Sequence, residues 1–149
     1  MSKTNPNIEI VRGFIKKFWN DGDFECVAEW LTEDYVDHAY VPGNREGLLN
    51  MARILHSAFP DQSSTEENIV AEGDRVVVRL RMTGTHQGNF RGTEATNHPI
   101  DVRLYREYRI LDGKIAEHWA LFDTAALLRQ IGAELNEQPA CRIDKHKID

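Results

Sequence analysis

The chain is poor in the residues that build cross-linked, metal-bound or membrane-spanning proteins. Its 149 residues include only two cysteines, Cys26 and Cys141. They stand far apart and outside any CxxC or Cys/His cluster, so neither a disulfide framework nor a zinc site is expected and free thiols are the default. No apolar run approaches the roughly 20 residues that a bilayer-spanning helix needs. The opening MSKTNPN lacks the hydrophobic segment of a signal peptide, so a cytoplasmic location without a membrane partner is the expectation. Basic side chains are outnumbered, 18 against 24 acidic, for a net charge of −6, which disfavours a general affinity for nucleic acid. GxSxG, HExxH, a strand-borne GxGxxG and a P-loop are all missing, so serine-nucleophile, zinc and nucleotide chemistry are not expected, and neither a metal nor a cofactor is called for.

What remains is an ordinary globular composition, 41% apolar and 28% charged. It is long enough for one domain with a core and a small internal pocket. Asn5-Pro6 reads as a cap and first-turn proline, after which Ile8, Val11, Ile15, Phe18 and Trp19 recur at helical spacing. Asp21-Gly22-Asp23 breaks that helix and can cap a second, with Phe24, Val27 and Leu31 inward. A short strand is expected over 35–40. Pro42-Gly43-Asn44 then opens a third helix whose stripe of Leu48, Met51, Ala52, Leu55 and Phe59 stops at Pro60.

Strands are expected over 65–72 and 75–85, joined through Gly73-Asp74, and over 100–111 and 114–122, joined through Asp112-Gly113. Between the pairs, 86–99 reads as a long loop, a length that is often functional. Three helices, a curved antiparallel sheet and a closing helix over about 124–131 give an α+β cone. Residues 1–132 form the expected domain, and the polar, aperiodic stretch 133–149 reads as a tail.

The densest cluster of signals lies in YRILDGKIAEHWALFDTAALLRQIG, residues 108–132. It combines a hairpin, a strand bearing Glu117, His118 and Trp119, and a helix opened by Asp123. In its context the string is similar to the SnoaL-like polyketide cyclases, a branch of the nuclear-transport-factor-2-like superfamily that also holds ketosteroid isomerases and limonene epoxide hydrolases. The likeness runs through Tyr35-Val36-Asp37-His38, Ala58-Phe59-Pro60-Asp61, Val70-Ala71-Glu72-Gly73-Asp74-Arg75-Val76 and Thr83-Gly84-Thr85-His86. It implies a cone-shaped fold with an internal pocket. It also implies cofactor-free acid/base chemistry, in which a proton leaves a carbon flanked by carbonyls and the enolate closes a ring by intramolecular aldol attack.

His118 alternates onto the face of Ala116, Ala120 and Phe122, where a neutral imidazole can exchange protons near pH 7. A half-buried histidine satisfied by a carbonyl fits the pattern equally well. In the cyclases the acid/base is an aspartate two residues beyond the histidine, in a His-Trp-Asp run, whereas this chain has His118-Trp119-Ala120. Alanine cannot move a proton. His118, Asp123 and His38 are therefore the candidate catalysts, although an aspartate before a helix is more simply an N-cap. By analogy with the related isomerases, Asp37 or His38 on the early strand is a second focus, and only one of the two should point inward. Tyr35, Phe59, Trp119, Ala120 and Phe122 are expected around the substrate, with His86 at the end of the long loop. Arg79, Arg81, Arg103 and Arg109 pair most simply with acidic neighbours across the sheet.

A polyketide cyclase acting on a small apolar or polycarbonyl ligand is the leading expectation. A non-catalytic binding module of the same fold, or a related isomerase, hydratase or hydroxylase, is the alternative. The arginine-bearing strand faces also carry Val77 and Tyr105, and with the family likeness this points to a homodimer packed through its sheets. Light scattering at micromolar concentration should give twice the 17.1 kDa of one chain; a monomer mass would overturn the expectation.

Overall fold

In the computed structural model, which describes residues 5–133, a five-stranded sheet wraps around the N-terminal helices. Helix α1 (Pro6–Phe14) starts where its cap predicts, with the Asn5 side chain accepting from the Asn7 N–H at 2.9 Å. The helical pattern then widens into a π turn over Ile15–Asn20. This wider turn lets the adjacent Phe18 and Trp19 both face inward, and both are buried.

The second helix differs from expectation. Asp23 makes no side-chain cap, a 3₁₀ turn over Phe24–Cys26 leads into a single-turn α2 (Val27–Trp30), and Leu31 already begins β1 (Leu31–Asp37). Pairing of Leu31 with Ile115 outweighs the weak helical tendency of so short a segment.

Helix α3 (Arg45–Ala58) is capped by the Asn44 side chain, and its Leu48, Ala52 and Leu55 are buried. The strands β2 (Ser63–Glu72), β3 (Arg75–Thr85), β4 (Pro99–Leu111) and β5 (Lys114–Phe122) follow, and α4 (Thr124–Gln130) closes the described chain. The hairpin between β4 and β5 holds Asp112 and Gly113 at φ 50° and 80°, as a two-residue turn with both central residues left-handed requires.

The strand order is β1-β5-β4-β3-β2. One feature corrects the expected all-antiparallel sheet: β1 lies parallel to β5. Helix α3 and the three antiparallel strands β2 to β4 intervene, so the chain returns to β1 running in its own direction. Register irregularities between Leu31 and Val36, Glu66 and Asn68, and Arg109 and Ile110 bend the sheet into its cone.

Alternation decides what each strand shows to each side. Along β4, Ile100, Val102, Leu104, Arg106, Tyr108 and Ile110 are buried. The opposite face carries the expected ion pairs, with Arg81–Asp101 at 2.6 Å, Arg103–Glu67 at 2.8 Å, Arg109–Glu117 at 2.9 Å and Arg79–Glu67 at 3.3 Å. Between them Val70, Tyr105 and Leu121 remain exposed. Cys26 is buried and unbridged, while Cys141 and the tail from residue 134 lie outside the described residues.

The segment between β1 and α3 folds back tightly. The Asp37 N–H donates to the Gly43 carbonyl at 3.0 Å, and a Cβ at Gly47 would stand 1.9 Å from the Pro42 carbonyl oxygen. This close approach carries Tyr40 inward. Gly47→Ala should therefore destabilise the protein by about 1–3 kcal/mol or more, because backbone rather than a flexible side chain must retreat. A urea midpoint unchanged from wild type would show that the turn yields freely.

Candidate active site

Strands β1, β5 and β4 bring one buried polar network together inside the cone. Parallel pairing sets Asp37 beside His118, and antiparallel pairing sets His118 beside Tyr108 and Ala120 beside Arg106. His118 is fully buried and Asp37 is 3% exposed. The Asp37 carboxylate is well supplied with donors. Its Oδ2 accepts from the Tyr35 hydroxyl at 2.5 Å and faces His118 Nδ1 at 3.1 Å, and its Oδ1 accepts from the backbone N–H groups of Ala39 and Tyr40 at 2.8 and 3.0 Å.

The other ring nitrogen of His118, Nε2, lies 3.3 Å from Arg106 Nη1, which also donates to the Tyr40 hydroxyl at 3.1 Å. The Arg106 guanidinium lies 3.8 Å over the Trp19 ring. Trp19 donates in turn to the Tyr108 hydroxyl at 3.2 Å, and the Tyr108 ring stacks on His118 at 4.9 Å.

The electrostatics select one protonation pattern. Burial pushes the Asp37 carboxyl up, but hydrogen bonds from His118 and Tyr35 outweigh it and hold the group below its ordinary value. Burial drives His118 below the usual histidine range and the Arg106 charge adds to this, against the upward pull of Asp37. Burial works against the charge on Arg106, yet nearby Tyr40, Tyr108 and Asp37 keep it protonated. A neutral imidazole therefore sits between a carboxylate and a guanidinium. It satisfies both contacts when Nδ1–H donates to Asp37 and the Nε2 lone pair accepts from Arg106.

Beside the network is a cavity of about 420 Å³, whose wall includes Tyr40, Met51, Leu55, Phe90, Phe122 and Leu127. This is within the ordinary range for a small-molecule site, and the lining is largely apolar. Tyr40 belongs to both features: it lines the cavity, and its hydroxyl accepts from Arg106.

A family model of the SnoaL-like polyketide cyclases matches residues 9–131. The chain belongs to this family. It is 29% identical over 134 residues to the aklanonic acid methyl ester cyclase DauD of Streptomyces sp. strain C5, covering 86% of this chain and 83% of the relative. Among solved structures, TsrD of Streptomyces laurentii superposes with a TM-score of 0.78 at 27% identity, over 89% of this chain and all of its own. IdmH of Streptomyces antibioticus does so with a TM-score of 0.76 at 31% identity, over 87% of this chain and all of its own. The fold is the nuclear-transport-factor-2-like cone of these cyclases.

The structure separates the candidates that the sequence leaves together. Tyr35, Asp37 and His118 meet in the network, and Phe122 is on the cavity wall. His38 does not join them. β1 ends at Asp37, and His38 faces outward, stacked 4.6 Å from the Trp119 ring and 3.3 Å from Glu117. Trp119 is accordingly on the outer face, where Arg75 covers it at 4.9 Å.

Asp123 is exposed and caps α4, accepting from the Ala126 N–H at 3.1 Å, so it too is absent from the network. Phe59 is fully buried behind Phe90, 5.4 Å away. His86 is buried against Phe59, and its Nδ1 bonds to Thr96, which ties down the long loop rather than facing the cavity. Among the described residues, no three His, Cys, Asp or Glu side chains converge as metal ligands.

Sequence reasoning missed Arg106, Tyr40, Tyr108 and Trp19 as a unit. A signal for Arg106 was present, since it occupies the apolar register of an otherwise alternating strand. Nothing in the sequence places Tyr40 beside it.

The network also predicts a pH response. His118, depressed in the folded state, is bound by more protons when unfolded, so stability falls as pH drops through its ordinary value of about 6.5. Asp37, also depressed, contributes stability above about pH 4 that is lost as pH falls through its folded pKa. Both slopes have the same sign. His118→Gln should flatten the dependence of the urea midpoint that sets in below about pH 6.5 and leave the limb below about pH 4 in place; a full wild-type slope would assign the upper limb to other groups.

Proposed function

We propose that this chain closes a ring in a polycarbonyl substrate held in the 420 Å³ cavity, by cofactor-free acid/base chemistry of the intramolecular aldol type. The observation that carries this reading is an apolar cavity with Tyr40 on its wall, joined through Arg106 to the buried His118–Asp37 pair. A carbon between two carbonyls is already acidic. The protein needs mainly to fold the substrate into a reactive shape, exclude water and handle one proton, tasks that an apolar pocket and a modest base perform without a metal.

His118 is the proton carrier in this reading. It is neutral near pH 7, and Asp37 orients it through Nδ1. Its Nε2 faces Arg106 at 3.3 Å, and with Nδ1–H directed to Asp37 this is the nitrogen whose lone pair would take the proton. His38, stacked on Trp119, and Asp123, which caps α4, have no part in it. The similarity to an aklanonic acid methyl ester cyclase makes aklanonic acid methyl ester, or a similar polycarbonyl ester, the first substrate to try.

Two features favour a second reading, a non-catalytic module that binds the same ligands: alanine stands at position 120, where the likeness to the cyclases implies an aspartate acid/base, and His118 has no exposed surface. A homodimer belongs to either reading, supported by the exposed Val70, Tyr105 and Leu121 on the outer sheet face.

Wild-type protein incubated with aklanonic acid methyl ester should cyclise it. His118→Gln, whose amide can still bridge Asp37 and Arg106 but cannot carry a proton, should lose about 10²–10⁴ of that rate while keeping its fold, as removal of a general acid/base does. Tight binding without conversion would replace the enzyme reading with the binding module.

A further inference from the structure

Tyr40 is placed to do more than line the cavity. Its hydroxyl accepts a hydrogen bond from Arg106, and among the described residues Arg106 is its one hydrogen-bond partner. A phenol that accepts through its oxygen still has its own O–H to donate. The donor Arg106 is permanently charged, 3% exposed, and fixed by Trp19 beneath it and His118 beside it. Accepting from such a cation polarises the phenol and strengthens the bond it can give, and the apolar surroundings increase the effect.

We propose that Tyr40 is a catalytic residue whose O–H, backed by Arg106 as a positioning residue, donates to the substrate carbonyl oxygen that becomes the enolate during ring closure. This rests on the cyclase reading above. In the step, the C–H electron pair moves into a carbon–carbon double bond and the carbonyl π pair moves onto oxygen, where Tyr40 holds the developing negative charge. The C–H proton passes to the base. The enolate carbon then attacks the second carbonyl, and the resulting alkoxide takes a proton back, so no oxidant or co-reactant is consumed. A preorganised donor at the oxygen makes the carbon more acidic, which is how a site with alanine at position 120 can work with a weak base.

The test uses a naphthol, whose neutral and ionised forms differ in absorbance and fluorescence and whose oxygen imitates the enolate. Wild-type protein should bind it with a larger ionised fraction than the same naphthol shows in water at that pH. Tyr40→Phe, which keeps the ring in the cavity wall, should bind it at least tenfold less ionised. With a polycarbonyl substrate the same variant should lose about 10²–10³ in kcat with KM changed little, the pattern of a donor used in the transition state. Arg106→Lys, which keeps the charge but loses the planar fork, should give an intermediate ionised fraction.

A naphthol that fails to bind, that binds wild type only in its neutral form, or that ionises equally on Tyr40→Phe overturns the proposal. Ionisation that depends on Tyr40 in a protein that converts no polycarbonyl would support the donor site and count against the cyclase reading instead.

Discussion

The neutral imidazole of His118, held between a carboxylate and a guanidinium, is the interaction on which the interior depends. It joins three strands that share no local sequence: Asp37 from the end of β1, His118 from the middle of β5 and Arg106 from β4. Two opposite charges buried in one cone would be costly if separated, and removing one partner of such a pair typically costs about 3–5 kcal/mol. Here every member has a partner of the right kind. Asp37 collects two backbone N–H groups, a hydroxyl and an imidazole, while Arg106 has an aromatic face, a hydroxyl and a ring nitrogen. Satisfied in this way, the network ties β1 to β5 through the Asp37–His118 contact as well as through backbone pairing.

The rest of the interior is arranged around that constraint. The widened π turn lets Trp19 lie under Arg106 while Phe18 fills the core beside it. The tight turn before α3 carries Tyr40 from the polar network to the cavity wall. The result is a division of the cone into a charged, hydrogen-bonded base and an apolar chamber, with Tyr40 at the boundary. Ala120 belongs to the same arrangement. Residue 120 is the cross-strand partner of Arg106, so an aspartate there would compete for the guanidinium, which in this chain is directed to His118 and Tyr40.

Most of the fold was legible because local rules and tertiary packing agree. The strands β3 and β5 have the limits that alternation and turn residues predict, the Asn5 cap starts α1 as expected, and α3 follows the Pro42-Gly43-Asn44 turn. Agreement failed where a local tendency was weak or a partner was remote. Asp21-Gly22-Asp23 suggested a second full helix, but only one turn survives, because Leu31 gains more by pairing with β5. The expected antiparallel sheet became mixed because no local pattern reveals which distant strand lies beside β1.

By itself the sequence determined the class of protein and the faces of its elements, since composition, capping and alternation act over a few residues. It put His118 on one strand face with Ala116, Ala120 and Phe122 by its period of two, and the order of its motifs marked the family. Only the tertiary structure decided which candidates meet. Asp37 and His38 are neighbours in the chain, yet β1 ends between them, leaving one inside beside His118 and the other stacked on Trp119 outside. Arg106 lies 66 residues from Tyr40, and their hydrogen bond exists because the turn before α3 folds back over the end of the sheet. Residues far apart in the chain converge through long-range packing, and no pattern read along a single sequence contains that information.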